Sequence, residues 1–166
     1  AGVPLAVIAQ GLCLFEPVKG RSRAQEIKLG AHTLTLVDDT YNANPDSVQA
    51  AIDVLATLPG PHLLVLGDMG EVGSQGPQFH AQAGQHARAL GIDTLFTLGD
   101  LSIATSQSFG RGCHFDGMAA LQGAVLAALP SMGSVLVKGS RFMKMEQVVQ
   151  AILAQAGQHK EASHVV

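Results

Sequence analysis

Hydrophobic residues along the chain first mark a set of short apolar runs, bounded by Gly or Pro. They lie at HLLVL (62–66), DTLFTL (93–98) and SVLVK (134–138), with a weaker run at CHF (113–115). These runs are too short for helices and do not alternate cleanly with polar residues. Continuous apolar runs of this length are typical of parallel strands covered on both faces.

Between these runs, apolar residues recur at helical spacing. The spacing predicts helices around 48–55, 79–90, 118–129 and 145–153, and a first helix over 4–15. Strand and helix in alternation indicate right-handed crossovers. The sequence therefore predicts an α/β fold, a doubly wound and mostly parallel sheet with helices on both faces.

The ends of the chain follow other patterns. EPVKGRSR (16–23) contains Pro and Gly and is predicted to be a linker or hinge. EIKLGAHTLTLVDD (26–39) is typical of a hairpin, with Gly30 near its turn. The tail, 158–166, has no pattern, and we expect it to be frayed.

Composition narrows the class of protein. The chain has 166 residues, of which 47% are hydrophobic and 14% charged, with a formal net charge of -3. It shows no basic stripe and contains no Trp, so we expect no nucleic-acid partner. No apolar run approaches the roughly 20 residues that span a bilayer. No secretory leader is visible either.

Two cysteines, Cys13 and Cys113, lie in apolar surroundings without CxxC spacing. This favours buried, reduced thiols and a cytoplasmic protein. The chain begins without Met and inside a helical pattern. We therefore expect it to be a piece of a longer protein.

The polar stretch VDDTYNANPDSV (37–48) follows a predicted strand and precedes a predicted helix. Asn44 suits a helix N-cap and Pro45 the first helical position. Asp38 and Asp39 end the strand, where ligands bind in sheets of this class. A carboxylate there accepts hydrogen bonds from ribose hydroxyls, although a capping or turn pair is an equal alternative at this stage.

Other predicted strands also end in polar residues. Asp68 and Glu71 follow the run at 62–66, and Asp100 follows the run at 93–98. We expect Asp39, Asp68, Asp100 and Lys138 at one edge of the sheet, with helix capping the preferred interpretation for Asp100 alone.

The last predicted strand ends in VKGSR, which holds Lys138, Ser140 and Arg141. A Lys at a strand end, a Gly for close approach and a Ser at a helix start favour an anion site, with a solvated helix cap as the alternative. The seven histidines show no metal-binding spacing, so we predict no zinc site. We interpret His80 as a hydrogen-bonded structural residue.

Four motifs in this order, FEPVKGR, DDTYNANPDSVQAAI, VLGDMGEVG and VKGSRFMKME, resemble the carboxyl-terminal part of the Mur ligases over about residues 2–154. Within that family, the resemblance is to the member that adds D-alanyl-D-alanine to UDP-N-acetylmuramoyl-tripeptide. It implies a Rossmann-like last domain that closes over an ATP-dependent site. ATP phosphorylates the tripeptide carboxylate, and the dipeptide amine attacks the acyl phosphate.

The resemblance also implies roles for residues of this chain. Arg21 matches an arginine that reaches the ATP phosphates, and Asp39 matches the aspartate that binds the ATP ribose. Asn42 and Asn44 match residues near the nucleotide and the hinge.

The segment with Lys138, Ser140 and Arg141 matches one near the amino-acid substrate and the acyl phosphate. ATP and Mg²⁺ are the implied cofactors, with the magnesium ligands in the family's central domain. No metal site and no complete catalytic set is expected in this chain.

The sequence has no Walker loop, GxxxxGK[ST]. On the resemblance, residues 1–24 are the last helix and exit of the central ATPase domain, 25–157 are the Rossmann-like domain and 158–166 are the tail. We expect a monomer that is inactive without the other domains.

Three other classes stay open on the sequence. A two-component receiver domain also has an acidic pair after its first strand and a lysine after its last, but it carries a phosphorylatable Asp after its third strand. A folylpolyglutamate-synthase-like ligase shares the fold and differs in acceptor. A nucleotide-binding module without catalysis is the third class.

Overall fold

The structure is a computed structural model that describes residues 3, 4, 7 and 20–162. The helix predicted over 4–15, apart from residues 4 and 7, lies outside the described residues, as do Cys13 and the last four residues. Cys113 is an exposed free thiol, not a buried one as predicted. Among the described residues, no helix is both long and apolar enough to cross a membrane.

Six strands form one sheet in the order β1-β2-β6-β3-β4-β5. All neighbours pair in parallel except β1 and β2, which are antiparallel. The strands are β1 (Arg23–Leu29), β2 (His32–Asp39), β3 (His62–Gly67), β4 (Thr94–Leu98), β5 (Cys113–Phe115) and β6 (Ser134–Lys138). The mostly parallel sheet and the weak strand at 113–115 are confirmed.

Within residues 20–162, five α-helices connect or follow these strands. They are α1 (Pro45–Thr57), α2 (Gly76–Ala89), α3 (Ile103–Phe109), α4 (Met118–Ala128) and α5 (Glu146–Ala162). The sequence pattern missed α3, because this seven-residue helix is rich in Ser and Thr and has no apolar stripe of useful length. It also ended α5 at Gly157, whereas the helix continues to Ala162.

Local sequence signals fix two of the element boundaries. The hairpin pairs Leu29 with His32, so its turn is Gly30-Ala31, and Gly30 has a φ of 63° that favours glycine. Helix α1 begins as predicted. The Asn44 side chain accepts a hydrogen bond from Ser47 N–H (2.8 Å), and the Asn44 N–H donates to Ser47 Oγ (3.0 Å). This reciprocal pair is a capping box.

The sheet separates two hydrophobic cores. Alternate residues of each strand point to opposite faces, so Leu63 and Val65 belong to one core and Leu64 and Leu66 to the other. Helices α4 and α5 cover the first face, and α1, α2 and α3 cover the second. The prediction of helices on both faces is confirmed.

Helices α2 and α3 touch through Gly84. A Cβ atom at this position would lie 2.2 Å from the carbonyl oxygen of Thr105 and 3.0 Å from the nitrogen of Phe109. Only a hydrogen fits there, and the two backbones cannot move apart without opening the core around Phe109, which is buried.

We predict that Gly84→Ala lowers the free energy of unfolding by about 1–3 kcal/mol, toward the upper end, because the new methyl group overpacks a backbone contact. Urea unfolding of the purified variant measures this. The matched control is Gly123→Ala in α4, where a Cβ meets nothing within 4 Å. The control should gain about 0.5–1 kcal/mol from helix propensity. Equal effects at both positions would contradict the packing argument.

Candidate functional site

The carboxyl ends of the parallel strands meet at one edge of the sheet. Asp39 and Lys138 are the last residues of β2 and β6, and Asp68 and Asp100 follow β3 and β4 within two residues. The prediction that these four residues share one edge is confirmed. Their side chains nevertheless do different things.

Lys138 and Asp39 form an ion pair between neighbouring strand ends. The register places them side by side, and the alternation of side chains points both toward the face covered by α1. Lys138 Nζ donates to Asp39 Oδ2 (2.5 Å) and to the carbonyl oxygen of Asn42 (2.9 Å). The side chain of Lys138 is only 3% exposed, so its charge is compensated entirely inside the protein.

The two adjacent carboxylates divide between the two faces of the sheet. Asp38 is buried, and its Oδ1 accepts hydrogen bonds from Thr40 Oγ1 (2.7 Å) and Thr40 N–H (3.3 Å). Asp39 instead accepts from Ser22 N–H (2.9 Å) and Ser22 Oγ (3.2 Å) through Oδ1. Asp38 is thus a turn residue, and Asp39 is the carboxylate that faces the cleft.

A cleft of about 530 Å³ opens beside this pair, between the hairpin and α1. Its polar end is lined by Arg21, Asp39, Asn42, Asn44 and Lys138. Apolar side chains line the rest, namely Ala24, Val37, Leu136, Ala50, Ala51, Val54 and Leu58. All four residues that the sequence analysis linked to ATP, together with Lys138, therefore lie on one concave surface. A cleft with an apolar floor and a charged end suits a nucleotide.

Ser140 and Arg141 lie next to this cleft but do not line it. Ser140 is buried: its hydroxyl donates to the Ala43 carbonyl oxygen (3.2 Å) and accepts from Gly70 N–H, and its own N–H donates to the Asp68 carbonyl oxygen (3.0 Å). Arg141 is 70% exposed and makes a long ion pair with Glu146 (3.8 Å). Ser140 thus holds three loops together, whereas Arg141 is mostly exposed to solvent.

Two further residues of this region escaped the sequence analysis. Tyr41 lies under the guanidinium group of Arg21, whose Cζ is 4.2 Å from the ring centre. Ser22 donates two hydrogen bonds to Asp39 from a segment 17 positions earlier in the chain. Tyr41 was visible inside the polar stretch, while no local signal identifies Ser22.

The backbone N–H groups just before α3 donate hydrogen bonds to the side chain of Asp68, not to that of Asp100. Asp68 Oδ1 accepts from Ser102 N–H (2.8 Å), and Oδ2 accepts from Leu101 N–H (3.2 Å). The residue at the N-cap of α3 is Ser102, which makes no side-chain capping bond. The capping interpretation of Asp100 was wrong, because a carboxylate from the neighbouring strand end occupies that position.

His80 is a structural residue, as predicted. It is fully buried, and its Nε2 accepts from Met69 N–H (3.0 Å), so the proton resides on Nδ1, which donates to the Gly76 carbonyl oxygen (2.7 Å). Burial lowers the pKa of His80, outweighing the opposing effects of the Gly76 hydrogen bond and of Asp68. The ring therefore stays neutral near pH 7.

Among residues 20–162, no three His, Cys, Asp or Glu side chains lie close enough together to hold a metal ion. At the sheet edge, Asp68 accepts hydrogen bonds from backbone N–H groups and Asp39 is paired with Lys138, while Asp100 is exposed. We assign no residue of the described chain to Mg²⁺.

Comparison with known proteins gives a consistent result. Residues 22–160 match the family model described as Mur ligase, glutamate ligase domain. UDP-N-acetylmuramoyl-tripeptide–D-alanyl-D-alanine ligase of Escherichia coli is 42% identical over 153 residues, which cover 91% of this chain and 33% of that protein. The chain spans about a third of the length of the curated relatives it matches.

Solved structures agree with these matches. MurF from Acinetobacter baumannii superposes with a TM-score of 0.76 and 32% identity, over 90% of this chain and 33% of that one. MurF ligase from Thermotoga maritima, solved in complex with ADP, gives a TM-score of 0.73 over 93% of this chain and 37% of that one. At 24% identity, this second likeness shows the fold alone.

We predict that acidification destabilises the fold through His80. The unfolded chain takes up this proton near pH 6.5 and the folded protein does so only at lower pH, so stability is complete above pH 6.5 and falls below it. The loss from one proton is at most about 1.4 kcal/mol per pH unit. Urea unfolding of the native protein and of His80→Gln, from pH 8 to pH 5, measures the difference.

His80→Gln should be less stable at pH 8, where it loses two buried hydrogen bonds, and the gap should narrow toward pH 5. Parallel stability curves for the two proteins would contradict this account of His80.

Proposed function

The chain belongs to the Mur ligase family, and we propose that it is the carboxyl-terminal domain of an ATP-dependent ligase of peptidoglycan synthesis. The reaction joins D-alanyl-D-alanine to UDP-N-acetylmuramoyl-tripeptide through an acyl phosphate. The observation that carries this proposal is the 42% identity, along 91% of the chain, to a ligase named for that reaction. The cleft at the strand ends supports it independently.

The polar end of the cleft supports ATP as its ligand. Arg21 supplies a planar cation for the phosphates, and Asp39 supplies a carboxylate for the ribose hydroxyls. Asp39 already neutralises Lys138, so Arg21 gives the polar end its net positive charge. That balance favours a polyanion over a neutral ligand.

The segment from Lys138 to Arg141 is proposed to lie near the amino-acid substrate and the acyl phosphate. Arg141 is exposed enough to contact a carboxylate or phosphate directly. Lys138 and Ser140 are buried, and they contribute by holding the segment in place through Asp39, Asn42 and Ala43.

The domain assignment follows from the same proposal. Residues 1–24 are the exit of a central domain that carries the Walker loop and the magnesium ligands, and residues 25–157 are the domain that closes over it. We further propose that the ligase is cytoplasmic and monomeric. Its substrates are a nucleotide-linked peptide and a dipeptide, with no role for nucleic acid.

The alternative classes are not favoured. A receiver domain requires a phosphorylatable Asp after its third strand, whereas residues 22–160 of this chain match the Mur ligase family model and the carboxylates of Asp39 and Asp68 are held by Lys138 and by backbone N–H groups. A folylpolyglutamate-synthase-like ligase shares the fold, but the family match and the DDTYNANP segment favour the Mur ligases.

We predict that the full-length protein forms a D-alanyl-D-alanine adduct of UDP-N-acetylmuramoyl-tripeptide in the presence of ATP and Mg²⁺. The 166-residue chain alone should give none, because its sequence has no phosphate loop. Chromatography of the product, with ADP release measured in parallel, checks both. Turnover by the isolated chain, or adduct formation with a different amino acceptor only, would contradict the proposal.

We predict that Asp39→Asn in the full-length ligase raises the Michaelis constant for ATP about tenfold or more. Hydrogen bonds to a charged group are typically worth about 1.5–3 kcal/mol, and each 1.4 kcal/mol is tenfold. The asparagine keeps an acceptor oxygen for the buried Lys138 but no charge, so stability should also fall, by about 1–3 kcal/mol.

Asp38→Asn is the matched control, since Asp38 is buried and hydrogen-bonded but faces the opposite side of the sheet. Both variants should melt at lower temperature, and only Asp39→Asn should change the constant for ATP. An unchanged constant in Asp39→Asn would make this carboxylate purely structural.

A further inference from the structure

Tyr41 is the only tyrosine of the chain, and the residue is 45% exposed at the rim of the cleft. A ring that is only partly buried is available for a specific contact in addition to packing. The guanidinium group of Arg21 lies over this ring, with Cζ 4.2 Å from the centre. This is well inside the roughly 6 Å over which a cation and an aromatic face attract each other.

The backbone around Arg21 explains why such a contact is needed. Gly20 and Ser22 both have positive φ, 80° and 46°, so the chain turns sharply on either side of Arg21. The Gly20 carbonyl oxygen accepts a hydrogen bond from Tyr41 N–H (2.9 Å), and Ser22 N–H donates to Asp39 (2.9 Å). These bonds fix the backbone but leave the long side chain of Arg21 to be oriented by other means.

A second cation lies near the same ring. The Cζ of Arg141 is 6.0 Å from the Tyr41 ring centre. Its ion pair with Glu146 is long, at 3.8 Å, and the Arg141 side chain is 70% exposed, so the pair contributes little. Two guanidinium groups at one aromatic ring repel each other unless an anion joins them. The arrangement therefore suits a phosphate group as ligand.

We infer that Tyr41 is a positioning residue for Arg21: its ring holds the guanidinium group at the rim of the cleft, oriented toward a phosphate group. This inference rests on the proposed function for the identity of the phosphate, which would belong to ATP. The contact uses the face of the ring and not the hydroxyl group. Phenylalanine at position 41 should therefore orient Arg21 as well as tyrosine does, while an aliphatic side chain of similar size should not.

The test compares Tyr41→Phe with Tyr41→Leu in the full-length ligase. Calorimetry with a non-hydrolysable ATP analogue measures affinity without requiring turnover. Tyr41→Leu should weaken binding about two- to fivefold, the range expected for one exposed cation–π contact. The affinity of Tyr41→Phe should stay within error of that of the native protein. Both variants should have the melting temperature of the native protein.

A double-mutant cycle with Arg21→Met then asks whether Tyr41 acts through Arg21. If it does, Tyr41→Leu has no further effect once Arg21 is absent. Additive losses, or equal losses in Tyr41→Phe and Tyr41→Leu, would overturn the inference.

The calorimetric result is separable from the proposed function. A protein that shows this affinity pattern but forms no D-alanyl-D-alanine adduct would refute the proposed reaction and leave the role of Tyr41 standing. Failure of the native protein to bind the analogue would overturn both.

Discussion

The ion pair between Lys138 and Asp39 is the constraint on which the rest of this sheet edge depends. A buried ammonium group is tolerated only where its charge and its hydrogen bonds are satisfied, and removing one partner of such a pair typically costs about 3–5 kcal/mol. Lys138 meets this demand with a carboxylate from β2 and a carbonyl from the loop after it. Two segments 99 positions apart are thereby fixed side by side, and the polar end of the cleft takes its shape from them.

Hydrogen bonds also tie the neighbouring loops together, from one strand end to the next. Ser140 links the loops after β2, β3 and β6, and Asp68 links the end of β3 to the segment before α3. The acidic residues at this edge therefore have separate tasks. Asp38 and Asp68 satisfy backbone groups, whereas Asp39 neutralises a cation and still reaches the cleft with a side chain that is 14% exposed.

Rigidity in these loops serves the proposed chemistry. A ligase that transfers a phosphoryl group gains most from charges that are already oriented before the substrates arrive. The strand ends provide that orientation for Asp39, and the Tyr41 ring provides it for Arg21. Arg141 differs, because it is exposed and weakly paired, which suits a residue that adjusts if, as proposed, this domain closes over a neighbouring one.

The sequence by itself determined the features that depend on neighbours along the chain. Apolar runs identified the parallel strands, Asn44 and Pro45 defined the start of α1, and Gly-Asp endings marked the edge that holds the candidate site. Only the tertiary structure decided which polar groups form hydrogen bonds or ion pairs with each other. Strand β6 lies between β2 and β3, and its register brings Lys138 to Asp39. The pleat turns Asp38 away from the cleft, and Asp68 takes the position expected for Asp100. These outcomes depend on pairing between distant segments, and local periodicity carries no information about that pairing.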